Sequence, residues 1–213
     1  ALDGGCGVGQ VVKRLMDAGH EAHGVEVSGP NIEKAKRMSD RCQLYDGRTL
    51  PFGDASFDSV GALNVLEHVE VPEAFLTEMV RVVKPSGKVV VSSPNFFRAL
   101  GLLDYHPRMR GVCNKWRNWL RLRAKRKQMV SDPDSVRFDR MEPIRREPFQ
   151  PDDDAIVATN GAEIKFFLEQ NGCDVLRVQC TDRYVAKPID FALNLGPWRH
   201  LMFNAFVVAR RKS

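Results

Sequence analysis

The stretch LDGGCGVG at residues 2–9 joins a short apolar segment to an amphipathic helical pattern. Its glycines at positions 5, 7 and 9 allow the backbone to turn sharply and to approach a ligand closely. The spacing does not match the dinucleotide fingerprint Gly-x-Gly-x-x-Gly, because Gln10 and Val12 stand where the third glycine is required. An acid, Asp3, closes the strand instead. We therefore expect a ligand that is cationic or zwitterionic near Asp3 rather than a pyrophosphate.

Short apolar runs alternate with helical patterns along the first half of the chain. They predict strands at 23–27, 42–45, 57–63 and 88–92, and helices at 11–16, 30–38 and 75–83. This order predicts βαβ units, and so a mostly parallel, doubly wound α/β sheet with helices on both faces. A further helix at 160–172 and strands at 175–178 and 203–209 follow.

Residues 96–155 interrupt this alternation of strands and helices just after the strand at 88–92. The part from Ser131 to Asp154 is rich in proline and acids and is predicted to be mostly loop. Ligands of doubly wound sheets bind at the carboxyl ends of the strands, where this interruption falls. We expect one domain, 1–213, in which 96–155 is an inserted cap.

The positive charge of the chain is concentrated in one segment. The sequence has 32 Lys and Arg against 27 Asp and Glu, yet residues 108–127 hold nine basic residues and no acid. Trp116, Trp119 and Leu120 fall at helical spacing among them, which predicts a basic amphipathic helix. Either this helix is solvated with its tryptophans packed on the sheet, or it contacts an anionic lipid surface or a phosphorylated, lipid-like partner. Nucleic acid is disfavoured because no stacking platform or RNA-binding module accompanies the charge.

Other features narrow the class of protein. No run of about 18 apolar residues occurs, so no transmembrane helix is expected. The five cysteines are odd in number and never form a Cys-x-x-Cys pair, which argues against a metal site or a disulfide framework. We expect reduced thiols and a cytoplasmic location, peripheral at the membrane if the basic helix binds lipid. The chain begins without Met inside its first strand, so we expect it to be part of a longer protein with this strand truncated.

Five motifs in order resemble class I S-adenosylmethionine-dependent methyltransferases, in the type 11-like, small-molecule group. They are Asp3-x-Gly5-x-Gly7-x-Gly9, Gly24-Val25-Glu26-Val27-Ser28, Asp46-Gly47-Arg48, Asn64-Val65-Leu66-Glu67-His68-Val69 and Arg81-Val82-Val83-Lys84-Pro85-Ser86-Gly87. The resemblance covers residues 1–95 in detail and 160–210 in outline. It implies a Rossmann-like sheet of seven strands with an antiparallel last strand, and S-adenosylmethionine as cofactor.

The resemblance also implies which residues form the site. Glu26 is expected to bind the ribose hydroxyls and Asp46 the adenine amino group. The predicted cofactor-binding residues are Asp3, Gly5, Gly7, Gly9, Glu26, Asp46, Gly47 and Asn64. The candidate catalytic residues are His68, after the fourth strand, and Tyr105 and His106, in the cap on the acceptor side. For His68 a supporting or helix-capping role is an equal alternative. For the polar cluster Asp104, Tyr105 and His106 an ordinary loop is the favoured interpretation.

The acceptor is the least constrained part of this prediction. No Asn-Pro-Pro-Tyr-like run follows the fourth strand, which disfavours methylation of a nucleobase amino group, and no Pro-Cys pair occurs. We expect methyl transfer to an O or C atom of a small molecule, such as a lipid-like compound, a quinone or a glycan. Two alternatives stay open: a nucleic-acid or protein methyltransferase that docks through 108–127, and a non-catalytic S-adenosylmethionine-binding module.

Overall fold

The computed structural model describes residues 1–100, 106–181, 187–195 and 204–213. The strands within them are β1 (Leu2–Gly4), β2 (His23–Glu26), β3 (Cys42–Leu44), β4 (Phe57–Leu63), β5 (Val83–Pro94), β6 (Asp139–Arg140), β7 (Val157–Ala158), β8 (Cys173–Thr181) and β9 (Asn204–Arg211). The helices are α1 (Gln10–Asp17), α2 (Gly29–Lys36), α3 (Pro72–Val82), α4 (Val112–Ser131), α5 (Gly161–Gln170) and α6 (Lys187–Asn194).

The main sheet has the strand order β3-β2-β1-β4-β5-β9-β8. The first five of these strands pair in parallel, whereas β9 runs antiparallel to both β5 and β8. The prediction of a mostly parallel seven-stranded sheet with an antiparallel last strand is confirmed. The three residues of β1 lie at its centre, with Asp3 opposite Gly24 of β2 and Gly61 of β4.

Helices cover the sheet because each presents an apolar stripe to it. Phe75, Leu76 and Met79 of α3 are almost fully buried with Val89 and Val91 of β5 in one core cluster. The helix was expected to run to residue 83, but this was wrong. Val83 is instead the first residue of β5 and pairs with Phe57 of β4. A β-branched residue favours the extended backbone, and in this position it gains a pairing partner in the sheet. Helix α6 was not predicted.

The described residues of the segment 96–155 pack around α4. Leu122 of this helix joins Phe96, Phe97 and Met109 in a second, smaller apolar cluster. Lys125 of α4 lies with its Nζ 2.8 Å from Asp139 Oδ1 and 3.0 Å from Oε1 of the fully buried Glu163 in α5. These contacts fix one face of α4 to the rest of the chain and leave its opposite face in solvent.

None of the helices in the described ranges combines the length and the apolarity that a bilayer span requires.

Candidate active site

A cavity of about 740 Å³ lies at the carboxyl ends of the parallel strands. Its walls come from the segments that follow β1, β2, β3 and β4, joined by Asp154 of the inserted region. These strands are adjacent in the sheet, so four separate stretches of sequence meet at one edge.

Most of the predicted cofactor-binding residues line this cavity, together with one candidate catalytic residue. The lining includes Gly5, Gly7, Glu26, Asp46, Gly47, Asn64 and His68. Asp3, Gly9 and His106 are not in the lining. Tyr105 lies outside the described residues, so the structure says nothing of its position.

Glu26 is the carboxylate that the fold positions most firmly. It ends β2 and is only 8% exposed. Its Oε2 accepts a hydrogen bond from Gly7 N at 2.8 Å, while Oε1 accepts from Val27 N at 3.0 Å and from Ser28 N at 2.9 Å. A carboxylate has about four acceptor positions, so a ligand hydroxyl can still donate to it.

The glycine loop is held against β2 by its own backbone. Gly5 N and Cys6 N both donate to Val25 O, at 2.8 and 2.9 Å. Gly5 has φ +77°, and a Cβ there would come within 2.5 Å of a Val65 methyl group, so only glycine fits. Gly7 also has positive φ, but a Cβ there would meet no protein atom within 4 Å. The backbone at Gly7 therefore borders open space in the cavity.

Two of the predicted loop residues support the site from outside the lining. Asp3 is 3% exposed, and burial together with the neighbouring Glu26 carboxylate raises its pKa to about 7. A Cβ on Gly9 would lie 3.2 Å from Ala35 Cβ, so this glycine allows close packing of the loop on α2.

Asp46 forms the turn after β3. Its Oδ1 accepts from Arg48 N at 2.8 Å and from Thr49 N at 3.1 Å, and these hydrogen bonds lower the pKa of the carboxyl. Gly47 follows with φ +77°, and a Cβ there would lie 3.3 Å from Val27 of the adjacent segment. The turn thus leaves Oδ2 of an exposed, ionised carboxylate as the acceptor that a ligand can use.

The segment after β4 supplies the other wall. Asn64 has φ +55°, a conformation that asparagine tolerates, and its N–H donates to Ser92 O at 2.7 Å. His68 lies at the end of the short 3-10 helix Leu66–His68, with Nδ1 3.6 Å from Asp154 Oδ1 and Nε2 3.8 Å from Glu67 Oε1. The imidazole therefore stands between a cavity-lining carboxylate and a buried one.

His106 occupies a different environment. It is 1% exposed and packs edge-to-face on Phe96, with Arg108 N donating to its Nδ1. Burial and the adjacent positive charge of Arg108 lower the pKa of His106 to about 4, so the ring is neutral. The structure does not bring His106 to the cavity, and its catalytic role stays a prediction.

Several lining residues were not predicted from the sequence. Tyr45 and Arg48 flank Asp46 in the third-strand motif, and their position after a strand was a signal that could have indicated them. Asp154 carried no such signal, since it lies 86 positions from His68 in a proline-rich loop.

A search for metal-binding clusters among the described residues gives one group. Atoms of Glu67, His68 and Asp152 that could bind a cation lie within 4.8 Å of one another. Glu67 is the buried member of the three, and its protonation state determines whether this group can bind a cation.

Comparison with known proteins gives a family match for the first part of the chain. Residues 2–91, less than half of the 213 residues, match a family described as a methyltransferase domain. Over that segment the chain is similar to methyltransferases. Among its relatives are the sterol 4-C-methyltransferase of Caenorhabditis elegans, 36% identical over 99 residues, and the mitochondrial ubiquinone biosynthesis O-methyltransferase of Schizosaccharomyces pombe, 34% identical over 103 residues.

These matches cover only part of each protein. The aligned segments are 42% and 43% of this chain, but 29% and 36% of the two relatives. A solved S-adenosylmethionine-dependent methyltransferase from Mesorhizobium loti matches 99% of this chain and 89% of its own, with a TM-score of 0.60 at 16% identity. That structural likeness supports the methyltransferase fold.

The cavity residues fit the cofactor of this family, S-adenosylmethionine. The cofactor carries a positive sulfonium, and the charged lining residues are the acids Glu26, Asp46, Glu70 and Asp154 with the single cation Arg48. Glu26 offers a fixed acceptor for a diol, and the open space at Gly7 admits a ligand against the backbone. Net negative charge in this lining favours a cation over a pyrophosphate.

Proposed function

We propose that this protein is an S-adenosylmethionine-dependent methyltransferase that modifies an O or C atom of a small-molecule acceptor. The observation that carries the proposal is the buried Glu26 carboxylate, which the Gly7 N–H fixes at the wall of the cavity. A strand-end acid bonded to the glycine loop is a preformed receptor for a ribose diol.

The residues divide between binding and proton handling. Glu26 would accept from the ribose hydroxyls, Asp46 Oδ2 would accept from the adenine amino group, and the backbone at Gly7 would border the cofactor. When bound, S-adenosylmethionine supplies a methyl group that its sulfonium already activates. The protein therefore needs mainly to align the acceptor and exclude water, which can contribute as much as ~7–11 kcal/mol.

His68 is the proposed base where the acceptor must lose a proton. Its Nδ1 lies beside Asp154 on the cavity wall, and no other imidazole of the described residues lines the cavity. An acceptor hydroxyl would give its proton to Nδ1 as its oxygen gains the methyl group. The positive charge then resides on the imidazolium, 3.6 Å from the Asp154 carboxylate.

The charge of the cavity bears on the acceptor class. Four carboxylates against one guanidinium disfavour a phosphate-bearing strand inside the cavity, which supports a small, uncharged reacting group. The sterol and ubiquinone-pathway relatives are named for acceptors of that kind. The cap at 96–155 contributes Asp154 to the wall, which supports its proposed place on the acceptor side.

The test is binding followed by turnover. Calorimetry should detect S-adenosylmethionine, and a panel of phenols, quinols, sterols and glycans should reveal transfer of an isotopically labelled methyl group. The matched variants are His68→Gln, expected to lose turnover but retain cofactor affinity, and Glu33→Gln on the exposed face of α2, expected to behave as wild type. Tight binding without transfer to any acceptor would favour the non-catalytic binding module.

We further propose that the outer face of α4 contacts an anionic membrane surface. This surface, the basic face of α4, comprises Trp116, Leu120, Arg123 and Lys127 along one side of the helix and Arg121 on its flank, all exposed to solvent. Trp116 stacks on Trp119 at 4.9 Å, and the Arg123 guanidinium lies 4.8 Å above the Trp119 ring. Exposed tryptophan beside unpaired arginine suits a lipid headgroup layer. The alternative in which both tryptophans pack on the sheet does not hold for Trp116, which is 60% exposed.

Charge complementarity supports this partner. Helix α4 contains no acid, and none of the three cations of its basic face forms an ion pair with a described residue. Each cation near an anionic bilayer contributes roughly 1 kcal/mol, so removing three should weaken binding about 100-fold.

Vesicle co-sedimentation tests it, with phosphatidylcholine vesicles that contain or lack phosphatidylserine. Replacing the three cations of the basic face with glutamine should abolish sedimentation with the anionic vesicles at low salt. The control replaces three exposed cations at the end of α2 and directly after it, Lys34→Gln, Lys36→Gln and Arg37→Gln; it changes the net charge equally and should have little effect. Failure of the wild type to bind anionic vesicles, or equal loss in both variants, would refute the contact. Salt-sensitive RNA binding instead would favour the nucleic-acid alternative.

A further inference from the structure

A chain of short contacts runs from Glu67 into the protein interior. Glu67 is fully buried, and its Oε2 lies 2.8 Å from Ser93 Oγ of β5. Ser93 Oγ lies 2.6 Å from Thr159 Oγ1, and Thr159 Oγ1 lies 2.7 Å from Pro94 O. Ser93 and Thr159 are themselves fully buried, so water does not take part at these atoms.

The number of protons available to these three contacts determines whether Glu67 is protonated or ionised. Three oxygen–oxygen contacts of 2.6–2.8 Å each require a proton between the two atoms. The two hydroxyls of Ser93 and Thr159 provide only two, and Pro94 O can only accept. With an ionised Glu67, one contact would bring two lone pairs together. With a protonated Glu67, the carboxyl donates to Ser93, Ser93 donates to Thr159, and Thr159 donates to Pro94 O.

The electrostatic environment of the carboxyl agrees with this count. Burial raises the pKa of Glu67 to about 8, because the charged form loses its hydration. The nearby carboxylates Asp152 and Asp154 contribute to this rise, whereas a hydrogen bond from the backbone of Glu67 opposes it. His68 is the other titratable side chain that faces it.

We propose that Glu67 is a neutral carboxylic acid whose task is to position His68. The proton of the carboxyl lies on Oε2, which donates it to Ser93 in the series of hydrogen bonds that ends at Pro94 O. Oε1 is therefore a carbonyl-like acceptor, and it has no hydrogen-bond partner among the described residues. The facing atom is His68 Nε2 at 3.8 Å, and such contacts commonly shorten when substrate binds. Glu67 Oε1 thereby favours the imidazole tautomer with the proton on Nε2. The Asp154 carboxylate at 3.6 Å from Nδ1 favours the other tautomer, but it is 63% exposed, so water screens its charge, whereas Glu67 is fully buried.

The tautomer matters because it leaves Nδ1 with a lone pair at the cavity wall. Nδ1 is the atom beside Asp154, and it is the atom that takes up the acceptor proton in the proposed reaction. This inference rests on the proposed role of His68 as base. A neutral Glu67 is also a poor cation ligand, which separates this role from a metal site formed with His68 and Asp152.

Amide replacement tests the protonation state directly, because glutamine has the same shape and the same donor and acceptor as a protonated glutamate. We expect Glu67→Gln to keep kcat within about threefold of wild type, and Glu67→Ala to lose about tenfold to hundredfold in kcat with little change in cofactor affinity. Nitrogen NMR of His68, assigned with His68→Gln, should show a protonated Nε2 in the wild type and in Glu67→Gln, and a mixture of tautomers in Glu67→Ala.

The pH dependence of stability separates this inference from the proposed function. The folded pKa of Glu67 lies above its ordinary value, so its contribution is present at low pH and is lost as pH rises through about 8. Urea unfolding should therefore show a decline between pH 5 and pH 8.5 that is smaller in Glu67→Gln. If His68→Gln stays fully active, the base fails but this decline still reports the protonated Glu67. Equal damage from Glu67→Gln and Glu67→Ala, or activation by Mn²⁺ that Glu67→Gln abolishes, would overturn the inference.

Discussion

Removing the Glu26 side chain should weaken S-adenosylmethionine binding far more than it weakens the fold. In Glu26→Ala the ligand diol loses one charge-assisted hydrogen bond, because backbone N–H groups take three of the four acceptor positions of the carboxylate. Such a bond is worth roughly 1.5–3 kcal/mol, and the upper value applies because this carboxylate is buried, so the loss is about 3 kcal/mol, or on the order of 100-fold in Kd. The same change removes the acceptor of three backbone N–H groups, those of Gly7, Val27 and Ser28.

The cost to stability should be smaller, because Gly7 and Ser28 are partly exposed and their N–H groups can turn to water. We expect a loss of about 1–2 kcal/mol in the free energy of unfolding. Calorimetry with S-adenosylhomocysteine gives the Kd, and urea unfolding without ligand gives the stability. Comparing the two separates loss of the ligand contact from loosening of the loop.

The matched variant is Asp46→Asn. Its amide oxygen can still accept from Arg48 N and Thr49 N, so the turn should survive while the ionised acceptor is lost. We expect its effect on affinity to be smaller than that of Glu26→Ala, since Asp46 is exposed and water screens its charge. Unchanged affinity in Glu26→Ala, with the loop intact by NMR, would refute the assignment of this carboxylate to the cofactor.

The remaining predictions concern the glycine loop and the anchoring of α4. Gly7→Val should fold yet lose cofactor binding in calorimetry, because its side chain enters the open space of the cavity. Gly5→Ala should instead lower the melting temperature, because its Cβ overlaps the Val65 methyl groups; a wild-type melting temperature would contradict this. Lys125→Met should cost about 3–5 kcal/mol by urea unfolding, because it leaves Glu163 buried without its cation. That cost should be smaller at pH 6 than at pH 8, because burial has raised the pKa of Glu163 to about 7 and the carboxyl takes up a proton; equal costs would show that Glu163 is not the partner that matters.

Local patterns sufficed for the sheet and for most of the residues that line the cavity after its parallel strands. Each parallel strand is short, apolar and followed by a turn signal, and the sheet rule places the residues after such strands at one edge. Glu26, Asp46 and Asn64 could therefore be placed near the glycine loop before any tertiary contact was known. The end of α3 was misjudged because Val83 fits both a helical stripe and a strand, and only its pairing with Phe57 decides between them.

The acceptor half depended on tertiary structure. Asp154 and His68 are 86 positions apart and meet only because the loop before β7 folds against the end of β4. In the same way, the sequence presents Glu67 as an ordinary acid in a helical segment. Its protonated state follows from its burial and from the hydroxyls of Ser93 and Thr159, which the fold brings to it from distant parts of the sequence. Hydrogen-bond partners and hydration are properties of the packed interior and not of neighbouring sequence.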